Sequence, residues 1–401
     1  MASEDIWIVG TSMTRIGRYP ENDVVGLGSQ VALEAFADAS MSISDMQVLA
    51  VGNAYEANSG IAQRIQKQIG QTGIPAYNVF NACATGATAV RNVILAIKAG
   101  EADAGLAIGT EQMGKMGLLG GAAKAKGERK VYTPKGRYGS VLSVEGVLGT
   151  GLMPGVFAQA GMEYALAHGV SREQFAKVAV KNHQHSALNP FAQYRTVFSL
   201  EEVLAAEEIS YPNTLPMCCP TGDGAASVIL VSERKLATLD PDVRRRAVKI
   251  SASVLTSDPW TDSDQVQPDV NTLTRLAAAQ AYEAAGVGPE DLDLVELHDC
   301  FATAELLHYD NLSLCKPGEA GYFIDSGAPC RDGSIPVNVS GGLLSKGHPI
   351  GATGIANLYE VATHLRGEAG DRQIAGAKVG LTHVIGLGSA CAIHILEKAA
   401  V

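Results

Sequence analysis

Four side chains have the chemical types and surroundings for covalent or proton-transfer work: Cys83, His298, Cys300 and His348. Cys83 stands in Asn81-Ala82-Cys83-Ala84-Thr85-Gly86-Ala87-Thr88. An extended apolar run from Ile74 to Phe80 leads in, and helical spacing of Val90, Ile94, Leu95 and Ile97 leads out. The cysteine is therefore expected at a strand-to-helix junction, in the first turn of the helix. There the unpaired backbone N–H groups and the helix dipole favour an anion. A thiolate so placed is a better nucleophile than an ordinary buried thiol, and the small neighbours let a carbonyl approach. The bland reading of a cysteine among small residues is core packing.

Leu297-His298-Asp299-Cys300-Phe301 ends an apolar strand. If that conformation persists, His298 and Cys300 point to the same side. By type they are half of a zinc site whose other half is missing at any normal spacing, or a polar edge aimed into a pocket. Ser340 to Gly351 is a glycine-laden loop that delivers His348 to a helix N-terminus, where the imidazole can serve as a base. The turn His383-Val384-Ile385-Gly386-Leu387-Gly388 is a further source of backbone donors. His183 and His185, two apart on a helix expected from Ser171 to Ala187, point apart and read as structure. Cys218-Cys219-Pro220 reads as buried small residues at a strand entrance.

The elements that must position these groups alternate between short apolar strands and amphipathic helices, the pattern of an α/β layered fold. Strands are expected at Ile6–Gly10, Val48–Gly52, Ala104–Gly109, Ala226–Val231 and Val248–Val254, and helices at Val25–Ala39 and Ile61–Ile69. The second half repeats the first. Leu276 to Gly288 followed by Pro289-Glu290-Asp291 and the strand to Leu297 echoes Ala32 to Ser44 followed by Asp45 and the strand to Val51. Gly351-Ala352-Thr353-Gly354 opens the helix Ile355–Leu365 as Cys83-Ala84-Thr85-Gly86 opens its own, and the strand Val379–Val384 matches Leu106–Gly109. The offset grows from 246 at Asp45/Asp291 to 268 at Cys83/Gly351, which places an insertion near Asp310 to Arg331. Such a duplication predicts two similar sheets with equivalent helices packed near a pseudo-dyad. The exposed connection around Arg244-Arg245-Arg246 divides the halves into 1–245 and 246–401, with a Gly-rich loop domain at about 111–160 inserted in the first. Between Lys115 and Arg137 that loop carries seven basic residues against Glu128 alone. It reads either as a wall meeting a polyanionic ligand or as a solvated charged loop.

The 401 residues are 46% hydrophobic and 18% charged, enough to bury a large core, and a formal charge of −11 argues against nucleic acid or an anionic membrane surface as partner. Seven cysteines without framework spacing, no secretory leader before Asp5 and no long apolar run lead to the expectation of a cytoplasmic, reduced protein with no membrane association.

Cys83 in Asn-x-Cys-Ala-Thr-Gly, His-Asp-Cys-Phe at 298–301 and Gly-His-Pro-Ile-Gly-Ala-Thr-Gly at 347–354 together resemble a thiolase. Cys-Cys-Pro-Thr at 218–221 and Lys-Asn-His-x-His-Ser at 181–186 narrow the resemblance to the sterol-carrier-protein type, from near Asp5 to Glu397. It implies the thiolase fold, a pseudo-duplicated five-layered α-β-α-β-α arrangement with an inserted loop domain. It also implies acyl transfer between coenzyme A thioesters. Cys83 would take the acyl group from a 3-ketoacyl-CoA, and His348 would take the Cys83 proton. His298 stands where most thiolases carry asparagine and would support an oxyanion site, and Cys300 would move the proton at the acetyl α-carbon. The backbone N–H groups of Cys83 and Gly386 would form a second oxyanion hole, typically worth about 3 kcal/mol of barrier.

The sequence departs from most thiolases at Val384, where they place their acid/base cysteine, and Cys391 beyond the glycines reads as packing. The resemblance implies no metal and no redox cofactor, with CoA and acyl-CoA as substrates. It implies a homodimer or homotetramer, with Ala104–Gly109 as a dimer-edge strand, and leaves room for a small partner protein. No lipid-carrier domain is expected after Val401. Two other readings are a retro-aldolase acting on steroid side-chain CoA esters, whose relatives have typically lost the nucleophile, and a non-catalytic acyl-CoA-binding subunit.

Overall fold

The computed structural model describes residues 4–114, 152–259, 270–387 and 390–399, with two short strands at Lys135–Gly136 and Gly139–Ser140. The basic segment 115–137 lies almost wholly outside the described residues. The main strands are β1 (Ile6–Met13), β2 (Val48–Gly52), β3 (Ala76–Val79), β4 (Ala104–Gln112), β5 (Asp223–Ser232), β6 (Val248–Thr256), β7 (Leu294–Glu296), β8 (Val379–Gly386) and β9 (Ala390–Lys398). The main helices are α1 (Val24–Asp38), α2 (Ile61–Ile69), α3 (Thr85–Lys98), α4 (Leu152–His168), α5 (Arg172–Ser186), α6 (Val270–Ala285), α7 (Ala302–Asn311) and α8 (Ile350–Arg366).

Local chemistry sets several of these bounds. Asp23 caps α1 by accepting from Gly26 N, and Ser171 with Gln174 forms a capping box that starts α5. The sequence pattern places the start of α8 at Ile355. The helix begins five residues earlier because Pro349 can precede a first turn and Thr353 Oγ1 bonds back to the Pro349 carbonyl.

The duplication is visible strand by strand. In the first half β3 and β4 flank β2 in parallel, β5 pairs antiparallel with β4, and β1 with β5. In the second half β7 pairs parallel with β8, β9 antiparallel with β8, and β6 with β9. Even the bulges correspond, at Ile8/Gly10 in β1 and at Ile250/Ala252 in β6. The counterpart of β3 is reduced to one parallel bridge, Val295 to Val337.

The two similar sheets expected from the duplication are joined edge to edge, so that the nine strands run in one hydrogen-bonded order, β7-β8-β9-β6-β1-β5-β4-β2-β3. The equivalent strands β1 and β6 meet antiparallel through Ile6–Ile8 and Val248–Ile250. Two edges related by a dyad are self-complementary in that orientation, and the bulges then turn the strands apart. The dimer-edge assignment of Ala104–Gly109 is corrected. β4 lies between β2 and β5 with every residue buried, and the open edge is β3.

The layers follow from which faces are apolar. Leu27, Val31 and Ala35 of α1 and Ile61 and Ile65 of α2 cover one face of the first half-sheet. The other face packs on Val90, Val93, Ile94 and Ile97 of α3 and on Ile355, Leu358 and Val361 of α8. Beyond the second half-sheet lie α6 and α7, giving five layers. Because helices cover both faces, β2, β4 and β5 are buried at every residue. The helices α3 and α8 cross at their N-termini, where a Cβ on Gly86 would stand 2.7 Å from the Gly351 carbonyl oxygen and one on Gly354 2.5 Å from Ala87 N. That close crossing brings the residues just before each helix together. No helix among the described residues is long and apolar enough to cross a membrane.

Candidate active site

Cys83 precedes α3 by two residues, so it lies on the turn before the helix and not in its first turn. Ala82 takes a left-handed φ of 46°. Thr85 holds the turn: its Oγ1 donates to Ala82 O at 2.5 Å and accepts from Asn81 N at 2.8 Å. The sulfur is buried, and burial pushes its pKa up to about 12, against the opposing pull of the Leu387 and Cys83 backbone N–H groups; the Glu111 carboxylate pushes it further up. Cys83 is therefore a thiol at neutral pH, not the helix-stabilised thiolate expected from its place in the chain. It needs a base.

His348 also stands two residues before its helix, α8. Its Nδ1 is 2.7 Å from Thr353 Oγ1, and that hydroxyl donates its one proton to Pro349 O at 3.0 Å. Nδ1 must then be the donor, which leaves the Nε2 lone pair free as the basic nitrogen. Burial pushes its pKa down to about 3, so the ring is neutral at rest. The His298 ring lies 5.3 Å from it at 74°. Burial, then His348 and His308, hold His298 well below the usual imidazole range, and neither of its ring nitrogens has a hydrogen-bond partner among the described residues. One donor atom each from Cys83, His298 and His348 fall within 4.8 Å of one another.

β7 ends at Glu296, so His298 and Cys300 are carried on a connection beyond the strand. Cys300 is buried beside Cys219 and Cys83; burial, then these neighbours, raise its pKa well above the ordinary thiol value. Its carbonyl accepts from Cys219 N at 2.9 Å. Cys219, which the sequence assigns to packing, is thus a third thiol at the site. All four expected side chains converge there. The backbone donors aimed at the sulfur are those of Cys83 and Leu387. Gly386, the expected partner, ends β8 with its α-carbon packed against the Asn81 carbonyl.

The residue between the two reactive ones ties the site together. Asp299 accepts from Leu343 N at 2.7 Å, Leu344 N at 3.2 Å and Asn182 Nδ2 at 2.8 Å. It caps the one-turn helix Gly342–Ser345 that leads to His348, and only a glycine at 342 leaves room for its carboxylate. Asn182 also donates to Glu305 at 2.6 Å, and Glu305 pairs with Lys181 at 2.8 Å. On the other side Glu111, buried at the end of β4, accepts from Asn53 Nδ2 (3.0 Å), Ala54 N (2.8 Å) and Gly351 N (3.2 Å). Burial lifts its pKa to about 7 against those donors. His183 and His185 meet backbone carbonyls, of Pro216 at 3.2 Å and Asn338 at 3.0 Å. A mostly apolar cavity of about 480 Å³ opens beside the site, walled by Phe198, Leu215, Pro216, Cys219 and Leu344.

Residues 6–202 match the family model "Thiolase, N-terminal domain" and residues 260–398 match "Thiolase C-terminal domain-like". The chain belongs to the thiolase superfamily. This thiolase-family chain is 37% identical over 398 residues to sterol carrier protein 2 of Homo sapiens, covering 98% of this chain and 72% of that protein. It is 33% identical over 401 residues to an acetyl-CoA acetyltransferase of Methanothermobacter thermautotrophicus, covering 98% and 100%. Its fold resembles that of an Ltp2–ChsH2(DUF35) aldolase, with a TM-score of 0.79 at 21% identity and 98% of each chain covered.

Proposed function

We propose that this thiolase-family transferase forms or cleaves the carbon–carbon bond of a 3-ketoacyl-CoA through an acyl-enzyme on Cys83, with coenzyme A thioesters as its substrates. The observation that carries the reading is the convergence of Cys83, His298 and His348 within 4.8 Å, with Cys300 alongside. In the cleavage direction the Cys83 proton passes to His348 Nε2 as the sulfur attacks the 3-keto carbon. The oxyanion is met by backbone N–H groups at the Cys83 and Gly386–Leu387 turns. The Cα–Cβ bond breaks, the enolate oxygen of acetyl-CoA rests on His298 and His348, and the Cys300 thiol protonates its carbon. The Cys300 thiolate then takes the proton of incoming CoA, whose sulfur attacks the thioester, and the His348 proton returns to Cys83. Both histidines are neutral at rest, so His298 can donate to an oxyanion while His348 accepts a proton. The apolar cavity suits the pantetheine arm that brings the thioester to Cys83.

Because the cycle needs reduced thiols, a reducing compartment, the cytoplasm, belongs to the same proposal. So does a homodimer through the open edge of β3, where Tyr77 and Phe80 are exposed.

The test is intact mass after incubation with acetoacetyl-CoA and with a long-chain or branched 3-ketoacyl-CoA, beside Cys83→Ala. An acyl adduct on the wild type, absent from the variant and removed by free CoA, is expected. Carbon–carbon cleavage without an adduct would instead favour aldol cleavage, a reading to which the fold likeness to the aldolase lends support. Binding with neither adduct nor cleavage would leave a non-catalytic subunit.

A further inference from the structure

Three of the reactive groups also form a set of soft metal donors. The Cys83 sulfur and a ring nitrogen from each of His298 and His348 lie within 4.8 Å of one another, all buried. Zinc–sulfur bonds of about 2.3 Å and zinc–nitrogen bonds of about 2.0 Å put the donors of a tetrahedral site roughly 3.3–3.5 Å apart. The set has to close by up to about 1.5 Å, within reach of side-chain rotations.

Two independent observations point to a ligand here. Both His298 ring nitrogens lack a partner among the described residues although the side chain is only 1% exposed. A buried imidazole so left is short of a hydrogen bond or a coordination bond. His348 is held through Nδ1 by Thr353 Oγ1, the outer-shell hydrogen bond that orients an imidazole to bind metal through its other nitrogen.

We propose that Cys83, His298 and His348 form a site for a thiophilic divalent cation, Zn²⁺ or Cd²⁺, whose occupancy blocks the nucleophile. As the metal–sulfur bond forms, the Cys83 thiol releases its proton to solvent; no electron is transferred, and water completes the fourth position. Three protein donors and an open position make an exchangeable site that a chelator empties. The proposal goes beyond acyl transfer and does not rest on it, because capture of the cation needs no turnover.

The test uses the full chain, stripped with EDTA, desalted and titrated with Cd²⁺ while the ultraviolet thiolate-to-cadmium charge-transfer band is followed. About one equivalent is expected to bind. The band disappears in Cys83→Ala, weakens about tenfold or more in affinity in His298→Asn and in His348→Asn, and persists in Cys218→Ala. Zn²⁺ slows alkylation of Cys83 by iodoacetamide, read by intact mass, and EDTA restores it. Melting curves check that each variant is folded, with Cys83→Ser in reserve. A band that survives Cys83→Ala, is lost in Cys218→Ala, or keeps its affinity in both histidine variants would overturn the site.

Discussion

The Asp299 carboxylate accepts the Leu343 N–H at 2.7 Å, joining the connection that carries His298 and Cys300 to the loop that carries His348. Removing it strands the backbone donors of Leu343 and Leu344 and the Asn182 amide in a buried network. For Asp299→Ala we expect a loss of about 3 kcal/mol in stability. Cys83 acylation should also slow by about a hundredfold, with little change in KM. Urea unfolding and single-turnover acylation would measure the two effects, and a stable variant of normal rate would refute the tie.

Thr353 fixes which nitrogen of His348 is basic. Thr353→Val keeps the volume and removes the acceptor for Nδ1–H, and the acylation rate should fall about 10- to 100-fold. Thr353→Ser restores most of it. A rate kept in Thr353→Val and lost in Thr353→Ser would mean that the methyl group, not the hydroxyl, matters.

The crossing of α3 and α8 tolerates no side chain at Gly86, where a Cβ would stand 2.7 Å from the Gly351 carbonyl oxygen. Gly86→Ala should destabilise by about 2 kcal/mol and depress activity, because the helices cannot separate without parting Cys83 from His348. At Gly17 a Cβ would meet nothing within 4 Å, so this position serves as the control and should tolerate alanine. Thermal melts of the two variants decide the matter.

Asp38 couples the halves on the far side through Arg366 (2.9 Å) and Arg246 (2.6 Å) and accepts the Thr11 N–H at 2.9 Å. Burial pushes its pKa up, but the Arg366 charge and the other partners together hold it below the usual carboxylate range. A depressed folded pKa means that the unfolded state takes up the proton first. The stabilisation is therefore full above the unfolded value of about 3.9 and fades as pH falls through the lower folded value. The stability gap between wild type and Asp38→Asn should shrink below about pH 4. A gap independent of pH would contradict the assignment.

The cavity beside Cys219 can be narrowed at Thr196, an exposed residue of its lining. Thr196→Trp should raise KM for CoA and its thioesters about tenfold while leaving the rate of the loaded enzyme nearly unchanged. A fall in kcat at unchanged KM would place the thioester elsewhere.

The reactive groups are legible in the sequence because each sits in a short local pattern: a cysteine among small residues, a histidine in a glycine-laden loop, a His-x-Cys at a strand end. The repeat is legible because acidic turns and helix openings recur in order. Asp299, Asn182 and Glu111 are not, since their partners lie 44, 117 and 240 residues away and only burial makes those bonds matter. The protonation of Cys83 escapes the sequence for a related reason. Local position predicts helix-dipole stabilisation, whereas the three-dimensional surroundings remove water from the sulfur, and desolvation dominates. The single sheet is hidden because the β1–β6 pairing joins residues that share no neighbourhood in the chain.

Cys83 and His348 come from different halves of the chain, each two residues ahead of one of the paired central helices. During synthesis the nucleophile therefore leaves the ribosome long before its base exists. Until the second half has docked, Cys83 lacks the His348 base and the Leu387 backbone donor, and acylation of a nascent chain falls to the slow exchange of an ordinary exposed thiol. Cutting the connection between the halves would yield two inert pieces, and mixing them should restore acylation only in proportion to reassembly. Reactivity here is a property of the closed duplicate, and it doubles as a reporter that folding is finished.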